Sequence, residues 1–407
     1  VPAPRTLLVT LTGTDRPGVT SRLFGALAAA DVGVLDVEQV VIRGRLLLGA
    51  LLEAPGPAQA ASVSAAIEAV AADLGMEAVV SAEADEEPEA LGTRSLVTVL
   101  GQPLVPAALS AVTGRIADSG ANIDRIKRIA RYPVTAVEME VSGADPLRLR
   151  TVLAREAALQ GVDVAVQRVG LHRRGKRLVV MDVDSTLIQG EVIEMLAEHA
   201  GAAAEVAKVT EAAMRGELDF AASLHARVAL LAGLPESVFD EVRAAVRLTP
   251  GARTLVRTLK RLDHRVAVVS GGFSQVVDPL AAELGLDFAA ANTLEVVDGK
   301  LTGRIVGDVV DRAGKAVALE RFARECDVPL AQTVAIGDGA NDLDMLARAG
   351  LGVAFNAKPV VRAAADTAVT VPYLDAVLYL LGIPREEVEE ADAADPGAEA
   401  GSAAARG

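Results

Sequence analysis

The stretch Arg177-Leu178-Val179-Val180-Met181-Asp182-Val183-Asp184-Ser185-Thr186-Leu187 constrains this chain most. Its short apolar run, rich in β-branched residues and preceded by basic ones, reads as a buried parallel strand. The run delivers two carboxylates, one residue apart. An unpaired buried carboxylate is costly, so a metal ion or a cationic partner is expected where the strand stops. In open α/β sheets that end of the strand faces the ligand crevice. On a straight strand Asp182 and Asp184 would point to opposite faces. Asp184 is therefore expected just past the strand, in a turn that swings it back.

Two later stretches answer this one. Arg265-Val266-Ala267-Val268-Val269 ends in Ser270-Gly271-Gly272, and Thr333-Val334-Ala335-Ile336 ends in Gly337-Asp338-Gly339-Ala340-Asn341-Asp342. Between them Lys315 opens a helical pattern. Three strands ending in such residues would gather them at one edge of one sheet.

The chain has 407 residues, which suggests several domains. It is 51% hydrophobic but only 2% aromatic, so its core must be built from Val, Leu, Ile and Ala. That suits α/β sheets covered by Ala-rich helices. The net charge of −15 argues against nucleic acid or an anionic membrane as partner. Cys326 is the only cysteine, which excludes an intrachain disulfide and makes a reducing cytoplasm the expected location. No apolar run approaches the roughly 20 residues of a membrane span. Val1-Pro2-Ala3-Pro4-Arg5 lacks the apolar segment of a signal peptide.

Before the central stretch, the pattern strand–helix–strand–strand–helix–strand runs over residues 1–83. Its strands are expected at 6–12, 34–42, 45–53 and 76–80. An acidic linker, Ala82 to Glu89, comes next. The same order recurs over 94–170, where Ser95 to Leu100 echo Thr6 to Leu11, so the two units are a tandem duplication. Both resemble ACT domains, the ferredoxin-like βαββαβ sensing modules of amino-acid metabolism. The signal is Gly13-Thr14-Asp15-Arg16-Pro17-Gly18 at the first strand–helix turn. The resemblance implies an effector site there, with Asp15 and Gly18 in it, an amino acid such as L-serine as effector, and a homodimer. A physical reason is available, since Gly18 allows close backbone approach and free amides at a helix start attract a carboxylate. The second copy, Gly101-Gln102-Pro103-Leu104-Val105-Pro106, lacks the acid and the second glycine. It is expected to serve mainly as a packing partner.

Residues 178–383 form the third domain. Four helical patterns over about 191–246 interrupt its sheet, more than a crossover requires, and read as an inserted cap able to exclude water. A strand at 287–290 and a hairpin about Asp298-Gly299 are expected further on. Residues 384–407 turn acidic and then Ala/Gly-rich, and are expected to be a disordered tail.

Asp182-Val183-Asp184-Ser185-Thr186, Ser270-Gly271-Gly272, Lys315 and Gly337-Asp338-Gly339-Ala340-Asn341-Asp342 resemble the four ordered motifs of the haloacid dehalogenase (HAD) superfamily, whose domain is a Rossmann-like parallel sheet. Glu191, the phrase Met214-Arg215-Gly216-Glu217-Leu218-Asp219-Phe220 and Arg227 narrow the resemblance to its phosphoserine phosphatase family. The resemblance implies Mg²⁺-dependent hydrolysis of O-phospho-L-serine, the last step of L-serine biosynthesis. It makes Asp182 the nucleophile and Asp184 the general acid and base. Mg²⁺ would be held by Asp182, Asp338 and the backbone carbonyl of Asp184, with Asp342 holding a metal-bound water. Lys315, Ser270, Gly271 and Asn341 would take the phosphate, Glu191 the ammonium and Arg227 the carboxylate. Met214 and Phe220 would close over the ligand. A phosphoprotein or phosphothreonine phosphatase, and a sensor that only binds ligand, are the rival readings.

Overall fold

The structure is a computed structural model that describes residues 5–30, 32–54, 56–83, 93–170, 175, 177–214 and 219–394. The chain divides into two compact units, Val1–Leu91 and Gly92–Gly407.

The first unit is one antiparallel sheet of β1 (Arg5–Thr14), β2 (Gly33–Ile42), β3 (Arg45–Ala54) and β4 (Glu77–Glu83), in the order β2-β3-β1-β4. Alternate residues of β1 and β3 face inward, so Leu7, Val9, Leu11, Leu46, Leu48 and Leu52 are buried. Helices Val19–Leu27 and Pro57–Leu74 cover that face with Leu23, Val63 and Ile67. The acidic linker lies mostly outside the described residues.

The second repeat has the same order, β6-β7-β5-β8, from β5 (Arg94–Gly101), β6 (Asn122–Ala130), β7 (Thr135–Ser142) and β8 (Asp163–Arg168). It is joined to the third domain by a shared core, in which Leu100, Ile129, Val134 and Ala165 lie with Leu374 and Tyr379. Asp163 is buried, and its carboxylate accepts from the Thr370 amide at 2.7 Å and from the Thr370 hydroxyl at 2.9 Å. Asp366 pairs with Arg150 and accepts from the Gly352 amide. The Gln167 side-chain amide donates to the Leu380 carbonyl at 2.8 Å.

The third domain is built on a seven-stranded sheet, β12-β11-β10-β9-β13-β14-β15. Its strands are β9 (Leu178–Met181), β10 (Arg265–Phe273), β11 (Phe288–Val297), β12 (Lys300–Val306), β13 (Thr333–Gly337), β14 (Gly352–Phe355) and β15 (Thr367–Val369). All neighbours are parallel except β11 and β12. Both faces are covered, which explains why the strands read as unbroken apolar runs. Val179, Met181, Val268 and Ile336 enter one core; Leu178, Val180, Val269 and Ala335 enter the other. The central strand β9 is where the strand order reverses, and ligands bind at such switch points.

Two expectations change. The strand at 287–290 and the first arm of the hairpin are a single strand, because β11 runs on past its pairing with β10 to pair with β12. The tail expected to be disordered from 384 begins with a helix, Arg385–Ala393. Val388 is buried, and Arg257 and Arg261 both pair with Asp392. One apolar residue and two paired arginines anchor a helix whose sequence looks too acidic to fold. Residues 395–407 lie outside the described residues.

Candidate active site

The strand ends converge. Met181 pairs in register with Val268 on one side and Ile336 on the other, so Asp182, Ser270 and Asp338 emerge at the same edge. After Asp182 the chain leaves the strand and turns at Ser185. Asp184 has φ −65° and ψ 129°, and Ser185 takes a left-handed φ of 58°. This tight turn brings Asp184 back over the edge. Its carboxylate accepts from the Val192 amide at 2.8 Å and from the Ser270 hydroxyl at 2.9 Å. The Gly272 amide donates to that hydroxyl at 2.7 Å.

Lys315 sits in the first turn of the helix Arg312–Glu325, whose start is fixed by Asp311 accepting from the Gly314 amide. Its ammonium is fully buried and lies 2.7 Å from both Asp182 Oδ1 and Asp342 Oδ1. Burial would lower its pKa, but the two carboxylates outweigh burial and raise it. Asp342 also accepts from the Gly339 amide at 2.9 Å. A side chain at Gly337 would collide with Asp342, because a Cβ there would lie 2.5 Å from its Cγ.

The electrostatics are unbalanced. Oxygens of Asp182, Asp338 and Asp342 lie within 4.8 Å of one another, with Asp184 beside them and Lys315 as the buried cation. Burial and then Asp342 push the Asp182 carboxyl well above its ordinary range. Burial and Asp342 likewise raise Asp338 to about 6. Burial raises Asp184, against the opposing effect of the Val192 amide and the Ser270 hydroxyl. A compact, acid-rich, all-oxygen cluster with one lysine fits a hard divalent cation. Asp182 and Asp338 would hold it directly. Asp342, engaged by Lys315 and Gly339, would support it from beside them.

Above the sheet edge lies a cavity of about 640 Å³, within the range of small-molecule sites. Asp182, Asp184 and Asp338 form part of its floor. Glu191, Arg227 and Phe220 line it from the cap, whose helices are Val192–His199, Ala203–Met214, Phe220–Ala229 and Val238–Ala245. Gly271 and Asn341 line it as well. Phe220 reaches over Gly271, where a Cβ would lie 3.2 Å from its ring. Burial lifts the Glu191 carboxyl to about 7, with Asp184 and Asp338 adding to the rise. The Met214 side chain lies outside the described residues. Asp15 and Gly18 belong to the first unit, where Asp15 is exposed and Gly18 starts a helix at φ 91°.

Thr186, which has no role in the sequence pattern, donates its hydroxyl to Asp338 at 3.0 Å, while its carbonyl accepts from the Thr249 hydroxyl at 2.7 Å. A hydroxyl two residues after Asp184 was the available signal. Arg312 and Lys358 also line the cavity and were not singled out. Neither carries a motif signature.

Gly272 is close to its neighbours for a reason that can be tested. A Cβ there would lie 2.8 Å from Asp184 Oδ2 and 2.9 Å from Ser270 Oγ. Gly272→Ala is expected to separate Asp184 from Ser270 and lower kcat/KM about 10²-fold, the usual result of a small misplacement of reacting groups. Steady-state kinetics beside a thermal melt would check it; an active, well-folded variant would count against the assigned geometry.

Comparison with known proteins adds three findings. Residues 179–347 match the haloacid dehalogenase-like hydrolase family, and residues 5–81 and 93–167 each match an ACT domain. The chain is 65% identical to a phosphoserine phosphatase of Streptomyces coelicolor over 388 residues, 95% of this chain and 94% of that protein. It is 54% identical to the phosphoserine phosphatase SerB2 of Mycobacterium tuberculosis, covering 98% of each. Among solved structures, a probable phosphoserine phosphatase from Vibrio cholerae in unliganded form superposes with a TM-score of 0.58 at 38% identity, covering 72% of this chain and 88% of that one.

Proposed function

From the premise that this chain belongs to the phosphoserine phosphatases of the haloacid dehalogenase-like hydrolases, we propose that it hydrolyses O-phospho-L-serine to L-serine and phosphate. The observation that carries this reading is the division of the cavity lining: Asp182, Asp184 and Asp338 at the sheet edge, Glu191 and Arg227 on the cap side. The first group suits a phosphoryl group with a cation. The second suits the ammonium and carboxylate of an amino acid, with Arg227 able to grip the carboxylate in two places.

Mg²⁺, when bound by Asp182, Asp338 and the Asp184 carbonyl, supplies the positive charge that lets a phosphate dianion approach a carboxylate. Asp182 attacks phosphorus in line; its oxygen–phosphorus bond forms as the bond to the serine oxygen breaks, giving an aspartyl-phosphate. Asp184 passes its proton to the departing serine oxygen. It then takes a proton from the water that attacks phosphorus, releasing phosphate and restoring Asp182. The raised pKa of Asp184 supports the first role. The Gly271 amide and Asn341, both on the cavity lining, steady the phosphoryl oxygens, Ser270 joins them once its hydroxyl turns from Asp184, and Lys315 holds a positive charge against the nucleophile. Phosphate release from O-phospho-L-serine with Mg²⁺ and with EDTA tests the reading. No release by folded, Mg²⁺-loaded protein would refute it.

A pH dependence is expected from Glu191. Only its ionised form can take the ammonium, and its pKa is raised to about 7. At saturating Mg²⁺, kcat/KM is expected to fall toward acid as Glu191 takes up its proton, about tenfold per unit below a midpoint that lies under the metal-free value of about 7, because the bound cation offsets the repulsion from Asp338. In Glu191→Gln the limb should vanish and kcat/KM drop about 10²-fold, as for one lost partner of a buried ion pair. A pH profile of both proteins checks this.

The tandem repeats support a second part of the proposal: feedback by an amino acid, with L-serine the first candidate, at Asp15 and Gly18 in a homodimer. Edge strand β2 exposes Val34, Leu35, Val40 and Ile42, an apolar edge suited to a second copy. Equilibrium dialysis of L-serine and sedimentation test it; no binding and a monomer would remove both claims. Among the described residues no helix is long and apolar enough to cross a membrane, and a cytoplasmic location is part of the same proposal.

A further inference from the structure

The cavity lining is rich in acid, with Asp182, Asp184, Glu191 and Asp338 on it, and the whole chain carries a net charge of −15. An anionic substrate must enter against that field. The cations on the lining are Arg227, Arg312 and Lys358. Arg312 is already paired with Asp344. Arg227 is half-buried, and its Nε donates to the Ser223 carbonyl at 3.3 Å. Lys358 differs from both. It is exposed, and its ammonium makes no ion pair or hydrogen bond among the described residues. Its backbone is nonetheless fixed, because its carbonyl accepts from the Val361 amide at 3.0 Å and the Arg362 amide at 3.1 Å. A free positive charge is thus mounted on a rigid base beside the mouth of an acidic pocket.

We propose that Lys358 is a steering residue that draws the phosphorylated end of the substrate into the cavity. It rests on the reading that this cavity takes a phosphate monoester, but not on which alcohol the ester carries. Lys358 takes no part in bond making or breaking. A rim charge of this kind acts on capture and on salt dependence, and leaves the chemical step alone. It acts in the same way on inorganic phosphate, which carries the same dianion.

The test uses the full chain loaded with Mg²⁺, and compares Lys358→Met, Lys358→Glu and Lys358→Arg with the parent. Binding of inorganic phosphate is measured by calorimetry, and kcat and kcat/KM on O-phospho-L-serine at several ionic strengths. At low salt, Lys358→Met is expected to weaken phosphate binding and lower kcat/KM by about threefold to tenfold, the effect of one unit charge on a nearby dianion in water. Lys358→Glu should do more and Lys358→Arg should match the parent. The differences should close at high salt, and kcat should stay within about twofold, since only capture is affected. Phosphate binding and a salt slope unchanged in Lys358→Glu would overturn the proposal. So would an Arg variant as impaired as the Met variant, because the side chain would then be packing and not steering. The calorimetric arm needs no turnover: Lys358-dependent phosphate binding without phosphoserine hydrolysis would sink the substrate reading and leave the steering role standing.

Discussion

Asp182→Asn is expected to abolish phosphate release from O-phospho-L-serine, lowering kcat by about 10⁴-fold or more, as for loss of a covalent nucleophile. The same substitution should leave the metal-free protein at least as stable as the parent. Asp182 is buried and burial raises its pKa above the ordinary range, so ionising it costs more in the fold than in the unfolded chain. A group with a raised acid pKa costs the fold stability once pH exceeds its unfolded value. An amide removes that cost and keeps the shape, and Lys315 retains Asp342 as partner. Activity and stability should therefore separate. Thermal melts with EDTA beside a phosphate assay would decide it; a variant that loses both would mean that Asp182 holds the fold rather than performs the chemistry.

Lys315→Met should do the opposite and damage both. Its ammonium is the buried cation between Asp182 and Asp342, at 2.7 Å from each. Removing it leaves carboxylates buried without their counter-charge, which typically costs about 3–5 kcal/mol. The pairing also sets the sign of the pH dependence. The raised lysine pKa gives stability that is present at neutral pH and lost only as pH climbs through the folded value. In the variant the deficit should shrink toward acid, where protonation of the Asp182 carboxyl removes the unbalanced charge. Urea melts across pH would show it. A deficit that grows toward acid would contradict the assigned pairing.

Much of the site could be read in the sequence because strand ends carry it. Apolar runs that stop at Asp182, Ser270 and Asp338 must put those residues at one edge if the strands are parallel neighbours, and β9 lies between β10 and β13. The return of Asp184 was foreseeable because period-two alternation forbids a straight strand there. What could not be read is the set of bonds made by residues with no special type. Thr186 steadies Asp338 through one hydroxyl, and Lys358 reaches the cavity from a loop far along the chain. The Arg385–Ala393 helix was missed for a related reason. Its sequence is acidic with one buried apolar residue, and its partners, Arg257 and Arg261, lie more than a hundred residues earlier. Local pattern cannot show a tertiary anchor.

The contact between β8 and β15 has a consequence for how this chain avoids itself. An open, mostly parallel sheet of seven strands has two margins, and an open margin invites strands from other molecules. At one margin the second repeat stands guard. Asp163 turns its carboxylate inward onto the amide and hydroxyl of Thr370, and Thr367 donates to the Val164 carbonyl. The second repeat thus acts as a permanent cover, and its buried acid is itself a poor partner for a stray strand. Cutting the chain at Leu178 would do more than remove two ACT domains. It would bare the margin and the apolar residues that meet Leu100 and Ile129, so the excised catalytic part should clump before it unfolds.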